Sequence, residues 1–285
     1  AAAWRTVAII YAAIGLVVNT VSALSVKELP EEELNDGGQT TTQENYGLIQ
    51  AFKLLLKNKF YMMICGTYIL QQLYNAMIGA GIYYFTWVLG NKNLFGVFAW
   101  AVNIPLIIAL VFTPTLVGKW KGMYKLNLRG YILAVIGRAL VVVAGYLGNV
   151  PLMMLFTAVA ALGQGPWQGD MNAVIASCSE YTYLTQGKRV DGTMYSCTSL
   201  GVKIGGGIGT AVVGWLLEIS GYVGKNPTQP ASAITMLQVM YLWVPFVIEI
   251  LITVVLAKMN VEETNERIKK EQGIVSDCVT DEGQA

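Results

Sequence analysis

From Leu94 to Gly118 the chain carries no charged side chain, and it holds six further stretches of comparable length that are almost as apolar. An α-helix needs about 20 such residues to cross the hydrocarbon core of a bilayer. Seven spans are predicted on this basis: Val7 to Val26, Phe60 to Leu89, Leu94 to Gly118, Asn127 to Gly148, Pro151 to Cys178, Met194 to Leu217 and Ala233 to Ala257. Soluble folding offers no alternative home for them. Hydrophobic residues make up 54% of the sequence and charged residues only 13%, with a mean hydropathy of +0.51, whereas soluble chains carry about a quarter charged residues. Between the fourth and fifth spans only Gly148-Asn149-Val150-Pro151 intervenes, and glycine followed by asparagine and proline predicts a tight hairpin there.

The formal charge is +1 and there is no histidine. The first fact removes the basic field that nucleic acid would need. The second removes imidazole metal sites, histidine-activated nucleophiles and histidine proton relays. The cysteines (Cys65, Cys178, Cys197, Cys278) are too widely spaced for a CxxC site or a disulfide framework. Of the lysines and arginines outside the spans, fourteen fall in one set of connections and only Arg5, Lys92 and Lys225 in the other. The rich set is expected on the cytoplasmic side, which puts the amino end outside and the carboxyl end inside a cell membrane.

The chain opens Ala1-Ala2-Ala3-Trp4, without an initiator methionine or signal peptide, so upstream material is expected to be missing. The connection from Lys27 to Lys59 is the longest. It begins with Glu31-Glu32-Glu33, passes through a turn-rich stretch, and ends in an amphipathic segment, Tyr46 to Lys59, expected to lie on the membrane surface. The expected layout is one helix (1–26), a cytoplasmic linker (27–59), a six-helix bundle (60–257) and a polar tail (258–285). The tail should start as a short helix and be disordered from Asp277 onward.

Four ionisable residues fall inside the spans: Arg138, Asp170, Lys203 and Glu249. A charge at the bilayer centre costs about 2.5–3.5 kcal/mol on insertion scales, so each must face protein or water. At a rise of about 1.5 Å per residue, all four lie roughly 12–16 Å from the cytoplasmic ends of their helices, and opposite signs can meet. Depth favours Lys203 with Asp170 and Arg138 with Glu249; exchanged partners fit nearly as well. Arg138–Glu249 reads first as a structural bridge between scaffold helices.

The sixth span carries a polar stripe, Ser196, Ser199, Lys203, Gly207 and Thr210, together with Gly201, Gly205 and Gly209 as two overlapping GxxxG steps that favour close helix approach. On the second span Tyr68, Gln72, Asn75, Gly79 and Tyr83 share a face, with Gln71 and Tyr74 beside it. The fifth holds Gln164, Trp167, Gln168 and Asn172 around Pro166, and the third holds Trp100 and Asn103. Amides at membrane depth must be satisfied, either by neighbouring helices or by a ligand dense in hydroxyls. Several mid-depth stripes describe an aqueous cavity, with Trp167 or Tyr68 as the face on which a sugar ring could stack.

Between the fifth and sixth spans stand Glu180-Tyr181, then Gly187-Lys188-Arg189-Val190-Asp191-Gly192-Thr193-Met194-Tyr195-Ser196, and seven residues beyond that serine, Lys203. This resembles the glycoside–pentoside–hexuronide cation symporters, the melibiose permease family of the major facilitator superfamily. The resemblance covers some forty residues closely, and the span layout agrees over the whole chain. It implies an all-α transporter of twelve helices in two halves, with this chain as the last helix of the first half and the whole second half. Lys203 matches the lysine beside the sugar and cation sites. Arg189 and Asp191 match the loop that helps close the inward gate, and with Arg129 and Glu180 they would form a charge network. Ser177 and Tyr183 stand where the family usually has acidic residues, and Glu180 replaces an aspartate, so the network is thinner.

What this implies is sugar:cation symport by alternating access, not enzymatic chemistry, with no cofactor. The coupling cation, sodium, proton or lithium, would sit mainly in the first half. Lys203, Gln72, Asn75, Gln168 and Ser199 would contact sugar hydroxyls. The alternatives are a carrier of the same superfamily for a lysolipid or drug, and a transport-inactive sugar sensor.

Overall fold

The computed structural model describes residues 2–25, 53, 55–120, 122–187 and 191–273, all helical or in short connections. Two compact units are separated near Tyr46. The first contains α1 (Ala2–Ser25), whose polar side chains turn back onto their own helix: Asn19 Nδ2 donates to the Gly15 carbonyl at 2.7 Å and Ser25 Oγ to that of Val21 at 2.6 Å. Such back-bonding keeps a hydroxyl or amide satisfied where no water is present.

The second unit comprises α2 (Lys59–Gly79), α3 (Gly81–Trp87), α4 (Leu94–Trp120), α5 (Met123–Tyr146), α6 (Val150–Gln186), α7 (Asp191–Met194), α8 (Ser196–Ile219), α9 (Ala231–Gln238), a π-helical turn (Val239–Trp243), α10 (Val244–Leu256) and α11 (Val261–Glu271). Five segments among the described residues are long and apolar enough to cross a membrane: 94–120, 123–146, 150–186, 198–219 and 231–271. The other two expected spans also form helices. One offers an apolar stretch of only Thr6–Ser22, and the other is interrupted at Ala80, between α2 and α3. Just beyond the interruption Gly81 presses so closely on the Tyr241 ring that a Cβ would lie 2.7 Å from it. Most of the 27–59 linker and amphipathic segment, and the tail from 274, lie outside the described residues.

Helix packing follows the small residues. α5 lies along α6 where Gly130 and Gly163 face each other's backbones and Gly137 meets Ala160. α4 packs on the same helix through Ala109 against Gly165. α8 lies along α2 through Gly201, Gly205 and Gly209. α10 joins the two groups by packing on both α5 and α2. Without a hydrophobic driving force between helices in lipid, such close backbone approach is what holds a bundle together. The faces left outside are apolar: Ile104, Ile107, Ile108, Val111 and Phe112 of α4 are all exposed. The hairpin at Gly148 forms as the sequence predicts. Gly148 has a φ of 64°, and Asn149 caps α6 by accepting from the Leu152 amide at 3.1 Å.

Candidate functional site

The bundle's centre is polar. Arg138 on α5 and Glu249 on α10 are each 1% exposed, and Arg138 Nε donates to Glu249 Oε1 at 3.3 Å. Gln164 on α6 donates to the same carboxylate oxygen at 2.7 Å and to Tyr74 Oη, on α2, at 3.0 Å. Arg138 Nη2 also donates to Tyr74 Oη, and the guanidinium lies over the Tyr74 ring, 5.2 Å from its centroid. One turn away Tyr131 Oη donates to Gln71 Oε1 at 3.0 Å. Four helices are thus bolted together by one hydrogen-bonded cluster. Of its members, Tyr74 and Gln71 read in sequence only as flanks of a stripe, and Tyr131 carried no signal at all.

A second polar region lies on the open side of the α2–α8 pair. The glycine ridge of α8 sits on Tyr68, Gln72 and Ala76, with Gly205 so close that a Cβ would lie 2.9 Å from the Ile69 Cα. This packing turns another stripe of α8 outward: Ser199, Lys203, Gly207 and Thr210 are exposed on the side of α8 away from the glycine ridge, while on α2 Asn75 and Gly79 are exposed and Gln72 and Tyr68 half-buried. Nothing occupies the space over Gly206, Gly207 or Gly79. Gln168 and Asn172 of α6 are also exposed.

Two expectations are corrected here. Lys203 does not pair with Asp170: the lysine is exposed on α8, whereas Asp170 is 7% exposed on α6, toward α5 and α11. Equal depth along parallel helices says nothing about which way each side chain turns. Trp167 is not a wall of the open face either. It is 1% exposed and packed in the core, because consecutive helical residues point about 100° apart and Gln168 takes the outward direction.

At the end carrying α11, Glu180 is held by Lys269 (Nζ to Oε1, 2.6 Å) and Asn265 (Nδ2 to Oε2, 3.2 Å). Arg129 does not join it; its guanidinium lies over the Trp120 ring at 4.5 Å. Arg189 and the side chain of Asp191 lie outside the described residues. Asn58, which the sequence reading passed over, is fully buried. It caps α2 by accepting from the amides of Phe60 and Tyr61, and it donates to the Cys178 carbonyl and Thr182 Oγ1 of α6. Asn before an apolar run is the cap signal that could have found it. Glu262 of α11 caps α5 in turn, accepting from the amides of Met123 and Tyr124 at 2.8 and 2.9 Å.

An all-helical bundle with apolar outer faces, a buried ionic core and an open amide-lined face is that of a multi-pass membrane protein. The family described as MFS/sugar transport protein matches residues 1–263, and the chain belongs to it. This is a family of transporters, not enzymes, and the symporters it resembles in sequence are members. Among its relatives are the isoprimeverose transporter of Lactiplantibacillus pentosus, 31% identical over 58% of this chain and 34% of the relative. The raffinose carrier protein of Pediococcus pentosaceus is 28% identical over 79% of this chain and 34% of the relative. A glucuronide carrier protein homolog of Escherichia coli is 27% identical over 63% and 39%. The chain thus matches only about a third of the length of these relatives.

Proposed function

We propose that this chain provides one six-helix half of a sugar:cation symporter, residues 60–257, together with the helix that precedes it. The transporter works by alternating access, with the sugar bound near the midplane between two halves that rock against each other. The observation that carries this reading is Lys203, a cation exposed among Ser199, Gly207 and Thr210 within an apolar helix and without an ion-pair partner among the described residues. Such a residue is intolerable against acyl chains and useful against hydroxyls or a uronate. The solutes in the relatives' names, isoprimeverose, raffinose and glucuronide, suit a face of amides, hydroxyls and one ammonium.

In this reading Lys203, Gln72, Asn75, Ser199 and Gln168 contact the sugar, and Tyr68 offers the ring. Lys203 places positive charge next to the cation site that the other half contributes. Sugar and cation then favour each other's binding, and the coupling is reciprocal. The α11 end faces the cytoplasm, where Glu180 and Lys269 belong to the gate's charge network. The test is sugar uptake driven by a sodium or proton gradient in proteoliposomes holding the intact transporter, with isoprimeverose, raffinose and a glucuronide as probes. Lys203→Ala should lower coupled uptake about tenfold or more, the equivalent of losing a charged hydrogen bond of about 1.5–3 kcal/mol. Uptake and coupling unchanged in that variant would remove Lys203 from the site. Binding without accumulation would favour a sensor.

A further inference from the structure

α4 has 27 residues. At about 1.5 Å per residue it is roughly 40 Å long, which exceeds the ~30 Å hydrocarbon core of a bilayer. Its last turn, with exposed Lys119 and Trp120, therefore stands among lipid headgroups, at the end of the molecule where Glu262 of α11 caps α5. The guanidinium of Arg129, on α5, reaches across to lie over the Trp120 ring. Arg129 and Lys125 are exposed as well. Among the described residues neither Arg129 nor Lys119 has a carboxylate partner. Lys125 meets Glu263 at 3.7 Å with both side chains at least half exposed, a loose pair. The other carboxylate at this end of α5, Glu262, is engaged by the amides of Met123 and Tyr124.

The arrangement has a shape as well as a charge. A guanidinium stacked on a ring is held flat with N–H edges free, the presentation that takes a phosphate through two parallel hydrogen bonds. From Arg129 toward the membrane interior, α4 and α5 part. α4 packs on α6 through Ala109 against Gly165, and through Leu110 and Thr113 against Gly169. α5 packs on the same helix through Gly130 and Ala134 against Gly163. The two helices themselves touch little. On α5, Leu133, Ile136 and Leu140 continue the line of Arg129 at spacings of four, three and four, and all are exposed. A basic foot at the interface thus leads into an apolar stripe in the membrane.

We propose that Arg129, positioned by Trp120 and flanked by Lys119 and Lys125, binds the phosphate of an anionic glycerophospholipid from the leaflet at the α11 end. An acyl chain of that lipid lies along Leu133, Ile136 and Leu140. Basic groups between membrane helices at the headgroup level are what recognises such lipids. Three cations around one phosphodiester favour phosphatidylglycerol over phosphatidylcholine, whose choline adds a positive charge of its own. The bound lipid joins α4 to α5 where the protein's own contacts between them are few. The site uses none of the residues of the sugar face and does not depend on which solute the protein transports.

The experiment is native mass spectrometry of the intact transporter released from detergent after titration with phosphatidylglycerol, phosphatidylcholine or inorganic phosphate. Phosphatidylglycerol should be retained in preference to phosphatidylcholine, and an equal concentration of inorganic phosphate should not displace it. Arg129→Gln should weaken phosphatidylglycerol binding about tenfold or more, the loss of a charge-assisted hydrogen bond. Trp120→Leu, which keeps every charge but frees the guanidinium, should weaken it several-fold. Lys225→Gln, an exposed cation at the opposite end, should leave it unchanged. Melting of the lipid-free variants in detergent checks the fold, and Lys119→Gln, which should also weaken binding, stands in for a variant that does not fold. Equal retention of the two lipids would overturn the proposal, as would displacement by inorganic phosphate. So would binding that survives Arg129→Gln or Trp120→Leu, or that falls as far in Lys225→Gln.

Discussion

At the scale of single residues, the decisive feature is that buried charges are tied to hydrogen-bond donors on several helices at once. Arg138 Nε pairs with Glu249 Oε1, and Gln164 and Tyr74 join them, while Arg138 Nη1 and Glu249 Oε2 have no hydrogen-bond partner among the described residues. Removing one partner of a buried pair strands the other charge at about 3–5 kcal/mol, whereas replacing both with apolar groups of similar volume is often neutral or better. Glu249→Leu is therefore expected to lower the thermal unfolding temperature of the purified protein sharply. Arg138→Met/Glu249→Leu should recover most of the loss, and a double variant as unstable as the single would contradict this account. Asn58→Ala should cost about 1–3 kcal/mol by the same assay, since it removes a cap and the buried hydrogen bonds its amide gives to the Cys178 carbonyl and the Thr182 hydroxyl.

At the scale of elements, glycine spacing sets which helices touch. Gly205 and Gly206 are neighbours with opposite surroundings: a Cβ on the first meets Ile69 Cα at 2.9 Å, and on the second meets nothing within 4 Å. Gly205→Ala should destabilise by about 1–3 kcal/mol through overpacking. Gly206→Ala should stabilise by about 0.5–1 kcal/mol, because glycine within a helix is entropically unfavourable relative to alanine. Thermal melts of the two variants side by side test the packing of α8 on α2; equal shifts would refute it. The π-helical turn is a comparable device. The Val244 amide reaches back to the Val239 carbonyl, and the extra residue seats Tyr241 parallel to Tyr84, with ring centroids 4.7 Å apart. No periodicity in Val239–Trp243 announces it, since a π-turn is a response to the neighbouring helices.

At the scale of the whole molecule, the asymmetry of lysine and arginine predicts that the α11 end lies in the cytoplasm. With Cys197 and Cys278 replaced by serine, Lys225→Cys should react with a membrane-impermeant maleimide in intact cells. Lys270→Cys should react only after permeabilisation. Both positions are exposed, and Cys65 and Cys178 are buried. The reverse pattern would invert the orientation.

The amino-acid sequence by itself determined the class: apolar runs too long and too free of charge for anything but membrane helices, and intramembrane charges that had to find protein or water. The GxxxG steps likewise announced a close helix contact, because only glycine permits it. Helical periodicity also grouped Ser199, Lys203 and Thr210 on one face. What it could not convey was rotation, since a helix's own residues say which side chains share a face but not which neighbour that face meets. Tertiary packing alone turned Lys203 outward and Asp170 toward Asn127, drew Trp167 into the core while leaving Gln168 exposed, and recruited Tyr74, Gln71 and Tyr131 into buried networks. Those outcomes depend on contacts between residues far apart in the chain, and the energy of a buried polar group is decided by what lies within about 3 Å of it.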